Sequence, residues 1–378
     1  MKRTKTLTLA VAVFLLLGIS ASAQTVIYAL GSEVIIKDNG GSVFDETTNQ
    51  ILQNDSFGPS TLYTINPSTG EKTEIGPTGF RECTGLDAHP VTNELYAVCH
   101  RIFDEEQFPD ERTSGEDDGI GQYLVHIDSN TGQGTEIGAL GDAIGYKGTL
   151  ISDIDFRSDG TLFAYLICRI CRRPDDKQFE TNNIEDLTGN ALGIIDLQTG
   201  KFMLIGESGI NDNISAIAFT PSQILSQCAT FFDEFDFHEL RTLNQTNGAS
   251  TFLSELLIPS DFEDFFTIIS SKDADMETGA MYGFLLADQD ENGGEFPEAE
   301  SRNIAAVGSF LTILQPGSNT LQVIGQTAGT QEVMLAIAVM GQPKVVPTLS
   351  EYGLILTVAL FLGAAVVFLR RRQARSEV

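Results

Sequence analysis

One two-stranded unit recurs along this chain, and a unit too small to bury its own apolar face obliges its copies to stack on one another. Leu62-Tyr63-Thr64-Ile65-Asn66-Pro67-Ser68-Thr69-Gly70 runs into Thr73-Glu74-Ile75-Gly76. Leu124-Val125-His126-Ile127-Asp128, through Thr131-Gly132, runs into Thr135-Glu136-Ile137-Gly138. The pattern returns from Leu192 to Gly200 with Leu204-Ile205-Gly206, more weakly from Leu240 to Leu257 around Asn247-Gly248, and from Leu311 to Gly317 with Val323-Ile324-Gly325. Apolar residues at every second position on both sides of a Thr-Gly or Asn-Gly turn describe a half-buried hairpin.

A second kind of hairpin follows each of these. Gly85-Leu86-Asp87-Ala88 faces Glu94 to Val98, and Ile151-Ser152-Asp153-Ile154-Asp155-Phe156 turns at Asp159-Gly160 into Leu162 to Leu166. Further copies begin at Ile214 and Phe265, and the last, Val333 to Val339, has only its first strand. Thr25-Val26-Ile27-Tyr28-Ala29-Leu30 matches the missing second strand, so the two ends of the domain are expected to pair. Such closure removes exposed sheet edges. The expectation is an all-β protein, a β-propeller closed by its N-terminal strand, with five blades. Six is the alternative count, because the fourth repeat is degenerate and residues 31–60 have room for further strands. The repeats resemble the extracellular propeller repeats of quinoprotein-like and lactonase-like domains, which implies a fold and not a function.

The ends carry addresses. Val346-Pro347-Thr348-Leu349-Ser350-Glu351-Tyr352-Gly353 precedes an apolar run to Leu369 and then Arg370-Arg371-Arg372. Residues 353–369 sit at the short end of what crosses about 30 Å of hydrocarbon, and the arginines behind them are expected to stay cytoplasmic before processing. This block resembles the IPTL-CTERM sorting signal of Gram-negative bacteria, with Val346 for the usual Ile and Tyr352 for the usual Trp. The resemblance implies an exosortase-type membrane protease as partner. At the other end Lys2, Arg3 and Lys5 lead into Leu7 to Ile19 and Ala21-Ser22-Ala23, a signal peptide with cleavage expected between Ala23 and Gln24; a retained anchor is the alternative. The expected organisation is a signal peptide over 1–23, a propeller over 24–342, a linker and sorting motif over 343–352, a transmembrane helix over 353–369 and a basic tail over 370–378.

Charge and insertions bound the function. Residues 24–350 hold 16 of the 23 Lys and Arg but 50 of the 52 Asp and Glu. That field repels nucleic acid and favours cations or basic partners, although acidic surfaces also serve solubility alone. The long segments 31–61, 99–122, 168–190 and 286–308 all fall between the second and third strands of a repeat, which puts them on one face. Within them Asp288-Gln289-Asp290-Glu291-Asn292-Gly293 spaces Asp288, Asp290 and Asn292 like the start of a Ca²⁺ loop, departing at Ala299; the other reading is a solvated acidic loop. Cys83 and Cys99 flank one hairpin and suit a disulfide. Cys168, Cys171 and Cys228 remain, with a local disulfide or free thiols favoured over a metal pair.

No nucleophile elbow, metalloprotease helix or phosphate loop is present in the sequence, and His100 is read as surface decoration. The expected role is an exported surface or matrix module that binds a polysaccharide or another surface protein through an acidic, Ca²⁺-ordered face. The alternative is a metal-dependent hydrolase or lactonase with a cation in the central channel. Its ligands would converge where the inner strands start, and Asp87, Asp153, Asp155 and Asn213 are the candidates, although they do not recur in every repeat.

Overall fold

The computed structural model describes residues 25–34, 44–45, 50–51, 57–102, 121–141, 144, 149–168, 187–210, 213–231, 237–262, 265–289, 308–329 and 332–340. No α-helix occurs among them; one 3₁₀ turn spans Ser260–Phe262. The strands are β1 (Val26–Val34), β2 (Phe44–Asp45), β3 (Gln50–Ile51), β4 (Phe57–Ile65), β5 (Lys72–Ala88), β6 (Leu95–Arg101), β7 (Gln122–Ile127), β8 (Gly134–Ala139), β9 (Thr149–Phe156), β10 (Leu162–Cys168) and β11 (Ala191–Ile195). They continue as β12 (Phe202–Glu207), β13 (Asn213–Phe219), β14 (Leu225–Phe231), β15 (Phe237–Leu243), β16 (Ser250–Glu255), β17 (Phe265–Ala274), β18 (Met281–Gln289), β19 (Gly308–Leu314), β20 (Gln322–Ala328) and β21 (Glu332–Met340).

Pairing between these strands is antiparallel throughout, in the orders β21-β1-β4-β5-β6-β7-β8, β9-β10-β11-β12, β13-β14-β15-β16, β17-β18-β19-β20 and β2-β3. The seven-stranded sheet arises because β5 serves twice, as the outer strand beside β4 and, past an irregularity between Arg81 and Gly85, as the inner strand beside β6. The N-terminal strand closes the architecture: β1 lies between β21 and β4, with Ala29 opposite Ile337 and Tyr63. The inner strands meet in the order β5, β9, β13, β17, β21 and back to β5. The result is a β-propeller-like ring.

The Thr-Gly turns and the Ile-Gly pairs of the sequence are the two halves of one contact between successive hairpin repeats. Gly132 has φ +79°, and a Cβ there would stand 2.3 Å from the Gly76 carbonyl oxygen. A Cβ on Gly325 would come within 2.1 Å of the Thr69 oxygen, so the last sheet docks on the first in the same way. Backbone approach this close admits only glycine. Gly138 with Gly200 and Gly206 with Gly248 repeat the arrangement. The junction of β16 with the last sheet differs: Leu257 forms a parallel bridge to Thr320, donating to Asn319 O at 2.8 Å and accepting from Leu321 N at 2.9 Å.

Aliphatic layers fill the space between sheets. Val98 and Leu124 pack with Ile151, Ile154 and Leu166, while Ile27 and Ile65 pack with Phe284, Leu311 and Met334 where the ring closes. Each side chain of this size contributes about 1.5–3 kcal/mol on burial. Lys72 Nζ also donates to the Glu332 carboxylate while lying 4.6 Å over the Tyr63 ring, tying the outermost strand of the closing set to the innermost.

The room noted in residues 31–60 holds the short β2–β3 pair. Asp288 belongs to β18 rather than to a loop, while Asp290 and Asn292 lie outside the described residues, as do residues 1–23, the motif from Val346 to Gly353 and the apolar run 353–369. No helix among the described residues is long and apolar enough to cross a membrane.

Candidate functional site

Near their ends the inner strands carry Asp87, Asp155, Ala218, Asp273 and Ala338, each one residue before Ala88, Phe156, Phe219, Ala274 and Val339. The three aspartates are buried and bring a carboxylate oxygen each to within 4.8 Å of one another. They satisfy the backbone of all these strands at that level. Asp87 accepts from its neighbour Ala88 N and from Phe156 N, both at 2.6 Å. Asp155 accepts from Phe219 N at 2.9 Å. Asp273 accepts from Ala274 N and Val339 N, each at 2.5 Å. Where the preceding strand offers an alanine, the aspartate of the same strand turns back to serve its own neighbour.

One level toward the strand starts, Asp153 reaches two further strands: Oδ2 accepts from Ile217 N and Oδ1 from Ser271 Oγ, both at 2.9 Å. Ser271 Oγ in turn accepts from Ile337 N at 3.3 Å. Burial pushes all four carboxyls well above the ordinary aspartate range. Among Asp87, Asp155 and Asp273 the mutual repulsion adds to that rise, and the backbone N–H bonds oppose it. Three hard oxygen donors so placed either share protons or hold a cation of the Ca²⁺ or Mg²⁺ type.

Two expectations about this centre need correction. The carboxylates converge at the ends of the inner strands, not at their starts. Phe80 and Arg81 pair with Arg101 and His100 at the opposite, starting end, where β6 leads into the connection after Ile102. Asn213 is the first residue of β13 and lies six residues before Phe219, about 20 Å away along a strand, so it does not join the cluster. Asp273 and Ser271 were not singled out from the sequence, because Ala218 and Ala338 at the matching positions hide the recurrence.

At the starting end, Cys83 and Cys99 form a disulfide. Cys168 is also disulfide-bonded, and Cys228 is a buried free thiol. Glu82, beside Cys83, is a non-glycine residue at φ 46°, and its Oε2 stands 4.0 Å from His100 Nε2. His100 is buried, not a surface residue. A second buried histidine, His238, bridges two sheets through Thr230 Oγ1 at 2.9 Å and Thr267 Oγ1 at 2.8 Å. Burial depresses it to about 4.

No curated protein matches the chain. Among solved structures it is similar to a nidogen/laminin complex chain (9% identity, 85% of this chain and 100% of that one, TM-score 0.41). It is also similar to TolB from Acinetobacter baumannii (11%, 89% and 71%, 0.39) and to the inulosucrase from Halalkalicoccus jeotgali (11%, 72% and 78%, 0.40). At the C-terminus an IPTL-CTERM motif matches residues 346–373, which marks an exported, membrane-anchored precursor sorted to the cell surface and processed by an exosortase-type membrane protein.

Proposed function

We propose that this protein is a five-bladed propeller serving as a non-enzymatic binding or structural module at the cell surface or in the extracellular matrix. The observation that carries this reading is the IPTL-CTERM motif at residues 346–373 on a chain whose ring is closed by its own first strand. The cyclic meeting of β5, β9, β13, β17 and β21 supports the blade count. Use of the buried aspartate oxygens by backbone N–H groups supports a scaffold role for the ring centre. Binding is assigned to the rim from which the long connections leave, with Asp288, Asp290 and Asn292 as the Ca²⁺ ligands and a polysaccharide or surface protein as partner. An N-terminal signal peptide cut between Ala23 and Gln24, a membrane helix over 353–369 and a cytoplasmic C-terminus complete the precursor.

Fractionation of cells making the chain tagged after Gln24 and at Val378 tests this. Recovery of the first tag on the surface without the second supports it, and joint retention of both tags in the inner membrane overturns the sorting step. A second reading, a metal-dependent hydrolase or lactonase, is favoured by the approach of Asp87, Asp155 and Asp273 within 4.8 Å. Turnover of lactones or esters by the purified full chain, abolished by chelator, would replace the first reading with this one.

A further inference from the structure

The bulge in β5 is unusual in its proportions. Arg81 pairs with His100 and Gly85 with Val98, so Glu82, Cys83 and Thr84 together face the single residue Cys99. The Cys83–Cys99 disulfide cinches this three-to-one mismatch. Neighbouring groups pin its flanks: Cys83 N donates to Ser60 Oγ at 3.2 Å, and Thr84 Oγ1 donates to Ile151 O at 2.6 Å while accepting from Gln122 Nε2 at 3.1 Å. Held on both sides, Glu82 takes a left-handed backbone conformation that residues with a Cβ rarely adopt, and strain of this kind persists only where the surroundings enforce it. The enforced turn aims its carboxylate at His100, the residue adjoining the other half of the disulfide.

We propose that Glu82 and His100 form an electrostatically coupled acid–base pair, stapled by the Cys83–Cys99 disulfide, whose net charge responds to pH at the rim of the ring. Charged and neutral groups face the pair from several strands. On β5, Arg81 adjoins Glu82. On β6, Arg101 is committed to Glu136 of β8 through two bonds, Nε to Oε2 at 2.8 Å and Nη2 to Oε1 at 2.7 Å, and stacks 4.1 Å from the centre of Tyr123 on β7. From β7 and β4 come the neutral Gln122 and Ser60. Burial raises the Glu82 carboxyl to about 7, with the Arg81 charge opposing, which brings it into the range where imidazole titrates. About a fifth of the Glu82 side chain reaches solvent, so protons exchange freely. The pair carries one negative charge when both groups are deprotonated, none with one proton and one positive charge with two. The use of such a response in an external medium rests on the surface location proposed above; the proton coupling does not.

The test is a pH titration of the full chain carrying ¹³C-labelled histidine, followed by NMR at ring Cε1, with His100 identified by its absence in H100Q. Fractionation decides the surface reading separately, so the two can fail independently. Loss of the facing carboxylate in E82Q is expected to lower the His100 midpoint by about one unit or more. In C83S/C99S, with Glu82 intact, the midpoint is expected to move toward that of E82Q, because the carboxylate is no longer held. A midpoint in E82Q that stays within about 0.3 unit of the wild type, or rises, overturns the proposal. Should the double cysteine variant fail to fold, the E82Q titration decides alone.

Discussion

Asp153 and Ser271 sit on inner strands that are not neighbours in the ring, yet Ser271 Oγ donates to Asp153 Oδ1 at 2.9 Å across its centre. The other oxygen of Asp153 takes Ile217 N on the strand between them. One fully buried carboxylate thereby joins β9, β13 and β17, and Ser271 extends the link to β21 through Ile337 N.

Removing one member of that link strands the others. In Asp153→Ala both Ile217 N–H and Ser271 Oγ lose a partner in a buried site, a loss of about 2–4 kcal/mol. Ser271→Ala loses less, about 1–2 kcal/mol. The double variant is expected to be less destabilised than the sum, because the shared bond can be lost only once. Urea midpoints of the four proteins measure this; strict additivity would show that the two side chains act separately.

Asp155→Asn separates the two readings of the carboxylate cluster. A carboxyl raised in the fold stays protonated there while the unfolded chain ionises near the ordinary aspartate value of 3.8. Stability contributed by the three aspartates is therefore present at low pH and falls as pH rises from about 4 through their raised folded values. An asparagine keeps an acceptor for Phe219 N and carries no charge, so without a bound cation D155N is expected to be more stable than wild type at pH 8 by about 1 kcal/mol. If a cation balances the cluster, the same change destabilises the protein and removes any effect of chelator on its melting.

His238 gives a dependence of the opposite sign. Its folded value is depressed to about 4 from 6.5, so the neutral ring between Thr230 and Thr267 contributes fully above pH 6.5. That contribution declines as pH falls from 6.5 to about 4, by roughly 3 kcal/mol in all. His238→Gln should be less stable at pH 7.5 yet lose about one proton's worth of slope over that window. Denaturation midpoints between pH 4 and 7.5 check both; an unchanged slope would remove His238 as its source.

The strands were legible because period-two alternation marks the clear copies, as where Val125 and Ile127 of β7 flank the half-buried His126, while the degenerate copy was legible mainly from its Asn247-Gly248 turn. Closure was legible for the same reason: Thr25 to Leu30 spells a second strand that had no first strand before it. The carboxylate cluster was only partly legible. Asp87, Asp153 and Asp155 stood out, but which level of the ring each occupied depended on strand direction and bulges, and these placed the cluster at the far end from Asn213. The Glu82–His100 pair was not legible, since it exists only because three residues bulge opposite Cys99.

The glycine contacts offer the sharpest test of the ring itself. Gly132 and Gly317 have nearly the same φ, +79° and +76°, so an alanine pays a similar backbone penalty of about 1 kcal/mol at either. Their surroundings differ completely. A Cβ on Gly317 meets nothing within 4 Å, whereas one on Gly132 lies 2.3 Å from Gly76 O, a backbone atom held in the outer half of β5. Gly132→Ala must therefore push the β7–β8 turn away from the outer half of β5, and the cost is expected to reach about 3 kcal/mol or more, as for an overpacked core. Gly317→Ala should stay near 1 kcal/mol. Chemical denaturation of the two variants compares them directly, and equal losses would mean that the Thr-Gly turns serve only their own hairpins and that the repeats are held together elsewhere.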